Sequence, residues 1–265
     1  KLQINVSTQK WHCWISNKGG YSVYSLFKKV NVNRELYAEL KGIFFVPKEV
    51  GDEKVEVAIL PKEFIPLWKS KRSLYRGHAL KFLKDRGFDN YDIKKYKIGY
   101  CEDGLYQQRI IIPSHDEHGV LNYFVGRSFM ESGMKYKNPN VSKDVVGFDY
   151  FIAWSEPIVL CEGVFDAMSI RSNAIPMLSK KPSKSLLQKI FEKNVKTIYI
   201  ALDDDAKKDA YVMSEFFKDF GIDSKVVKLP KDQDPNDLGW EAITTLINST
   251  ESASFSDSIQ AKLYG

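Results

Sequence analysis

From residue 157 onward, short apolar runs alternate with longer stretches whose apolar positions recur at helical spacing. Residues 158–161 predict a strand, 164–172 a helix, 174–177 a short strand and 183–193 a helix. Residues 197–202 then predict a buried strand, 206–220 a helix and 225–229 a last strand. Such a βαβαβαβ alternation implies an α/β fold with a parallel sheet flanked by helices, because parallel neighbours need crossover connections. Upstream the texture is different. Alternating strands are expected at 2–6 and 10–14, followed by a Gly19-Gly20 turn and an amphipathic helix over 22–30. A helical run over 75–86 stops at Gly87, and a shorter helix follows near 92–97. Residues 109–113 and 120–125 then form two strands of a hairpin across the polar turn 115–119. The pattern divides the chain into an N-terminal segment (1–60), an α+β subdomain (61–156), the parallel-sheet domain (157–240) and a helical, Ser-rich tail (241–265).

Composition narrows this picture. With 265 residues, 43% of them hydrophobic, the chain can bury real cores. No apolar run approaches the roughly 18–20 residues of a membrane helix, and the start lacks a secretory pattern, so a cytoplasmic protein without membrane contact is expected. Because residue 1 is Lys, the chain is expected to begin inside a longer protein. Cys13, Cys101 and Cys161 form no Cys-x-x-Cys pair, which argues against a disulfide framework or a self-contained zinc site. The net charge of +5 is concentrated: residues 61–150 hold 16 Lys and Arg against 11 Asp and Glu. A basic segment beside an acidic one fits a nucleic-acid partner.

The acidic residues carry the chemistry. Open parallel sheets bind ligands just past the carboxyl ends of their strands. The first strand here closes with Glu162-Gly163 and the third with Asp203-Asp204-Asp205. Alternation along an extended chain would send Asp203 and Asp205 to one side, so that Glu162, Asp203 and Asp205 face one pocket. Crowded carboxylates suit a hard divalent ion, Mg2+ or Mn2+, of the kind that serves phosphoryl and nucleotidyl transfer. A further acidic segment, Asp234-Pro235-Asn236-Asp237, follows the last strand and offers Asp234 and Asp237. Helix capping accounts equally well for the Asp203–Asp205 triplet taken alone. His78, His115 and His118 sit in polar surroundings and are assigned no role, since metal-activated chemistry needs no histidine.

In order and spacing, the Glu-Gly, Asp-x-Asp and Asp-Pro segments resemble the toprim domain of DnaG-type primases, topoisomerases and some nucleases. The upstream half resembles primases in particular. Leu83-Lys84-Asp85-Arg86-Gly87-Phe88, Ile98-Gly99-Tyr100, Arg109-Ile110-Ile111-Ile112-Pro113, Gly126-Arg127 and Lys135-Tyr136-Lys137-Asn138-Pro139 follow one another as that family's signatures do. The resemblance implies that Arg109, Arg127, Lys135, Lys137 and Asn138 line the groove for template, primer and incoming nucleotide. It also implies template-directed synthesis of short RNA primers on single-stranded DNA during replication. The partners would be single-stranded DNA, ribonucleoside triphosphates, the RNA product and a replicative helicase. After Asp-x-Asp-Ala the Lys207-Lys208 pair departs from cellular primases toward phage- or plasmid-type ones, and Lys207 is expected to contact phosphate. Residues 11–20 resemble the second half of a primase zinc ribbon. Ser16 stands where the partner of Cys13 would be, so a zinc-free remnant is expected from this chain. Two other functions remain open: a different toprim enzyme, nuclease or topoisomerase-like, or a non-catalytic single-stranded DNA binder that stacks bases on Trp11, Trp14 and Tyr136.

Overall fold

A computed structural model describes residues 1–251 apart from 7, 34, 45–56 and 132, and at 38 and 41–44 the backbone alone. Most of the Ser-rich stretch at 249–258 therefore lies outside the described residues. The chain divides into two compact units, residues 1–55 with 218–221, and residues 56–217 with 222–265. In the first unit, β1 (Leu2–Ile4), β2 (Trp11–Cys13) and β3 (Lys18–Gly20) form an antiparallel meander, with Leu2 opposite Cys13 and Cys13 opposite Lys18. Helix α1 (Val23–Val30) starts at Ser22, whose hydroxyl accepts from Ser25 N. Trp11 is buried against this turn and donates its indole N–H to Ser25 Oγ at 2.9 Å. Helix α2 (Glu35–Phe44) follows.

The second unit opens with β4 (Ile65–Pro66), α3 (Leu74–Asp85), α4 (Asn90–Lys95) and β5 (Gly99–Cys101). The hairpin β6 (Arg109–His115) and β7 (Leu121–Ser128) completes an antiparallel sheet of order β4-β5-β6-β7. The hairpin is the one the sequence pattern predicts. Strands β4 and β5 are too short to show a period of two, and only pairing defines them, β5 with β6 and β4 with β5.

Next come β8 (Ile158–Cys161), α5 (Val164–Ile170), β9 (Ala174–Pro176), α6 (Lys184–Glu192), β10 (Thr197–Ala201), α7 (Lys207–Asp219), β11 (Asp223–Val226) and α8 (Pro235–Ser249). The four strands form a wholly parallel sheet of order β11-β10-β8-β9. Their side chains alternate between two cores. Val159, Cys161, Tyr199 and Ala201 face the layer that contains α5 and Ile243 of α8, whereas Ile158, Leu160, Ile198 and Ile200 face Leu186, Ile190 and Phe217 of α6 and α7. Burial on both faces is why these strands read as unbroken apolar runs. Each fully buried Ile or Leu contributes on the order of 2 kcal/mol. Strand β11 begins two residues before the expected 225. Its ladder starts at Asp223 opposite Thr197, and Val226-Val227, expected near the strand's middle, marks its end as the chain leaves toward Pro230. Among the described residues no helix is long and apolar enough to cross a membrane.

Ion pairs tie the two sheets together. Glu117, in the β6–β7 turn, accepts from Lys189 of α6 at 3.0 Å and from Lys193, the C-cap of that helix, at 3.1 Å, and Lys189 also pairs with Asp149. Those two ammonium groups hold the Glu117 carboxyl down at about 2, against an ordinary 4.5. A depressed carboxyl stabilises the fold fully above its unfolded value and loses that contribution as pH falls toward the folded one. Glu117→Gln should therefore melt below the wild type at pH 6, and the gap should close between pH 4.5 and 2. A gap independent of pH would contradict the pairing.

Candidate active site

Strands β8 and β10 are neighbours with Cys161 opposite Ala201, so Glu162 and Asp203 leave the sheet side by side at its carboxyl edge. Because β9 lies on one flank of β8 and β10 on the other, the strand order reverses here, where open sheets form a ligand crevice. Asp203 is still extended (φ −54°, ψ 153°), but residues 204–206 turn at once into a 3-10 helix leading to α7. The extended alternation expected for Asp203 and Asp205 therefore fails. Asp205 is 73% exposed and pairs with Lys180 at 3.4 Å, outside the crevice. The crevice is a cavity of about 490 Å3 with Glu162, Asp166, Asp203 and Asp234 in its lining, together with Arg86, Arg127, Tyr136, Asn138 and Lys143.

The acidic residues strain one another. Burial, followed by the charges of Glu162 and Asp234, raises the Asp203 carboxyl to about 6. Burial and the charge of Asp234 raise Asp166 to about 7, although Asp166 accepts from Gly163 N at 2.9 Å. Asp203 Oδ1 is buried with no hydrogen-bond partner, a costly state for a carboxylate oxygen. Among the described residues no three of His, Cys, Asp and Glu converge into a metal-binding group. Mg2+ needs fewer, since it commonly takes one or two carboxylates and fills its sphere with water and substrate phosphate oxygens. The partnerless oxygen of Asp203 beside Glu162 fits that pattern. Asp234 caps α8, and Asp237 closes the capping box by accepting from Asp234 N at 3.3 Å, which gives Asp237 a structural occupation.

The basic residues separate into two groups. Arg127 on β7 lines the cavity, its guanidinium carbon 4.6 Å from the Tyr136 ring centroid, and its Nε is buried without a partner. Asn138 also lines the cavity, and its Oδ1 lies 3.4 Å from Gly126 N. Arg109, Lys135, Lys137 and Lys207 do not line it. Arg109 is 8% exposed and donates to the carbonyls of Met134 (2.9 Å) and Lys135 (3.2 Å), bracing the loop that carries Tyr136. Lys135 borders an open cleft with Phe82 and Arg127, Lys137 lies over the Tyr106 ring, and Lys207 stands near Asp203 and Asp204 in a narrow crevice. The same loop explains Gly126. Lys137 N donates to Gly126 O at 2.8 Å, and a Cβ at 126 would meet Lys137 O at 2.3 Å. Gly126→Ala should push the loop off β7, cost about 1–3 kcal/mol in urea unfolding and lower activity with it. Unchanged stability would show that the loop tolerates displacement.

Residues 159–239 match the family model described as Toprim-like. The chain is 28% identical over 198 residues to an uncharacterized protein, MG010, of Mycoplasma genitalium, a match spanning 67% of this chain and 87% of that one. It is 24% identical over 198 residues to a DNA primase of Clostridium acetobutylicum, spanning 65% of this chain but only 33% of that protein. Among solved structures it resembles the zinc-binding and RNA polymerase domains of Aquifex aeolicus primase. That likeness has a TM-score of 0.58 at 20% identity, and covers 94% of this chain and 75% of that one. The fold is thus that of a primase RNA polymerase domain, with a parallel four-stranded sheet flanked by helices and antiparallel sheets preceding it.

Of the acidic residues that the sequence pattern singles out, Glu162, Asp203 and Asp234 line the cavity, whereas Asp205 and Asp237 do not. The pattern missed Asp166. A signal exists in hindsight: Asp166 is the third helical residue of α5, four positions after Glu162, where an acidic side chain caps the helix and stays beside the strand end. Arg86 and Lys143 were missed as well. They reach the cavity from outside the toprim-like segment, through long-range packing that no local pattern encodes.

Proposed function

We propose that this chain is the catalytic core of a DNA primase, a cytoplasmic enzyme that makes short RNA primers on single-stranded DNA by metal-dependent nucleotidyl transfer. The observation that carries the reading is one cavity whose lining holds Glu162, Asp166, Asp203 and Asp234 together with Arg86, Arg127 and Lys143. Glu162 and Asp203 would hold a divalent ion, Mg2+ or Mn2+, which activates an attacking hydroxyl and stabilises a pyrophosphate leaving group. Asp205, at the exposed rim, would join them once its pairing with Lys180 yields. Asp166, raised to about 7 by burial and the charge of Asp234, is partly protonated near neutral pH, which limits the negative charge that faces the nucleotide. Arg127, held over the Tyr136 ring, offers bidentate contacts to phosphate. Lys135, Lys137 and Lys207 would guide the template and primer strands outside the cavity, while Arg109 fixes the loop on which two of them sit. In this reading residues 61–156 form the basic wall, 157–240 the catalytic half, and the first sixty residues a zinc-free ribbon remnant that contacts DNA. The Lys207-Lys208 pair supports a phage- or plasmid-type enzyme, and a replicative helicase is the expected partner.

The test is incubation with single-stranded DNA, Mg2+ or Mn2+ and labelled ribonucleotides. Oligoribonucleotides dependent on template support the reading. Cleaved DNA would make the chain a toprim nuclease, and retention of DNA without product would make it a binding protein.

A further inference from the structure

Arg86 ends α3 as its C-cap residue and lines the cavity, yet among the described residues it forms no ion pair with any of the carboxylates that share that lining. Its guanidinium carbon lies 5.0 Å from the ring centroid of Phe82 and 4.8 Å from that of Phe165. Among the described residues its side-chain acceptor is neutral: Nη1 donates to Asn236 Oδ1 at 2.6 Å. Asn236 stands in the first turn of α8, 9% exposed, between two acidic residues that form that helix's capping box. Its amide is held in one orientation, because Nδ2 donates both to Arg86 O at 3.1 Å and to Ser169 Oγ at 2.8 Å. The side chain thus grips Arg86 at backbone and guanidinium together. Two rings and a carboxamide fix the cation's direction without neutralising it. An aspartate at 236 could keep the Nη1 contact but would cancel the charge, and both Nδ2 donations would be lost.

We propose that Asn236 is a positioning residue that holds Arg86 as an uncompensated cation for the polyphosphate of a nucleoside triphosphate. The inference rests on the nucleotidyl-transfer reading of the cavity and assigns one of its determinants. Arg86 contacts the ligand, whereas Asn236 acts through Arg86 alone. A binding contribution of this kind, a hydrogen-bonded charge meeting phosphate, is worth about tenfold or more in affinity.

Binding of inorganic tripolyphosphate in the presence of Mg2+, measured by calorimetry on the full chain, reads the cation directly. Arg86→Gln and Asn236→Asp should each weaken it about tenfold, the first by deleting the cation and the second by adding a carboxylate that cancels it; because the two charge changes add when combined, the coupling is read with Asn236→Ala. Asn236→Ala, which buries no new carboxylate, keeps the test available if the aspartate variant fails to fold. It should lose affinity in the wild-type background and nothing further beside Arg86→Gln. With ribonucleotides and template, Asn236→Asp should raise the KM for nucleotide and leave kcat nearly unchanged. Additive losses when Asn236→Ala is combined with Arg86→Gln, wild-type affinity in Asn236→Asp, or a wild type that does not bind tripolyphosphate would each overturn the proposal. A wild type that binds tripolyphosphate but makes no oligoribonucleotide would overturn the primase reading and leave the cation site standing.

Discussion

Asp203→Asn is expected to abolish primer synthesis, with a loss on the order of a thousandfold or more, while the protein stays folded. The size follows from what a divalent ion supplies to phosphoryl chemistry, about 4 kcal/mol or more of charge stabilisation. Asp203 is placed to hold such an ion: its Oδ1 is buried without a partner at the carboxyl end of β10, beside Glu162 at the end of β8. An amide oxygen at this position still offers a lone pair but no charge. Stability should be unchanged or slightly raised, because burial and the neighbouring carboxylates already push the Asp203 carboxyl up to about 6. Affinity for single-stranded DNA should be unchanged or slightly higher, since a negative charge facing phosphates has been removed. Melting temperature, DNA binding and ribonucleotide incorporation measured on the same preparation separate these effects. Wild-type incorporation by the variant under matched Mg2+ would remove the metal assignment.

The parts of this molecule that could be read in the sequence are those fixed by local pattern. Ile158–Cys161 and Thr197–Ala201 are buried on both faces, so their apolar runs announce a parallel sheet, and the residues just past them announce the crevice. Asp205 was misplaced because a rule for extended chain was carried past the point where the chain turns helical at residue 204. Arg109 was assigned to the groove by its place in a primase-like motif, yet it is spent on the carbonyls of Met134 and Lys135, a use that depends on where β6 pairs and not on its own neighbours in sequence. Arg86 and Asn236 are 150 positions apart, and their hydrogen bond exists only once the end of α3 and the start of α8 have come together. Motifs therefore named Glu162, Asp203, Arg127 and Asn138 of the cavity lining, while Arg86 and Lys143 reach it through tertiary contacts.

Lys189→Met should be among the most destabilising single changes outside the cavity, at about 3–5 kcal/mol. Asp149 is 3% exposed and is held by the Lys189 ammonium and by the indole N–H of Trp154 at 3.0 Å. Removing the lysine leaves a buried carboxylate with one neutral donor, and the cost of that unpaired charge exceeds whatever the pair itself contributed. The logic can be checked within the same experiment. Adding Asp149→Asn to Lys189→Met should recover a large part of the loss, because the orphaned charge is gone, whereas additive losses in urea unfolding would show that packing of the lysine stem dominates. Activity should suffer as well as stability. Lys189 also anchors Glu117 in the turn of the β6–β7 hairpin, and β7 carries Gly126 and Arg127 toward the cavity. Loosening that turn frees the strand that presents the arginine, so nucleotide affinity should fall in Lys189→Met even at temperatures where the protein remains folded.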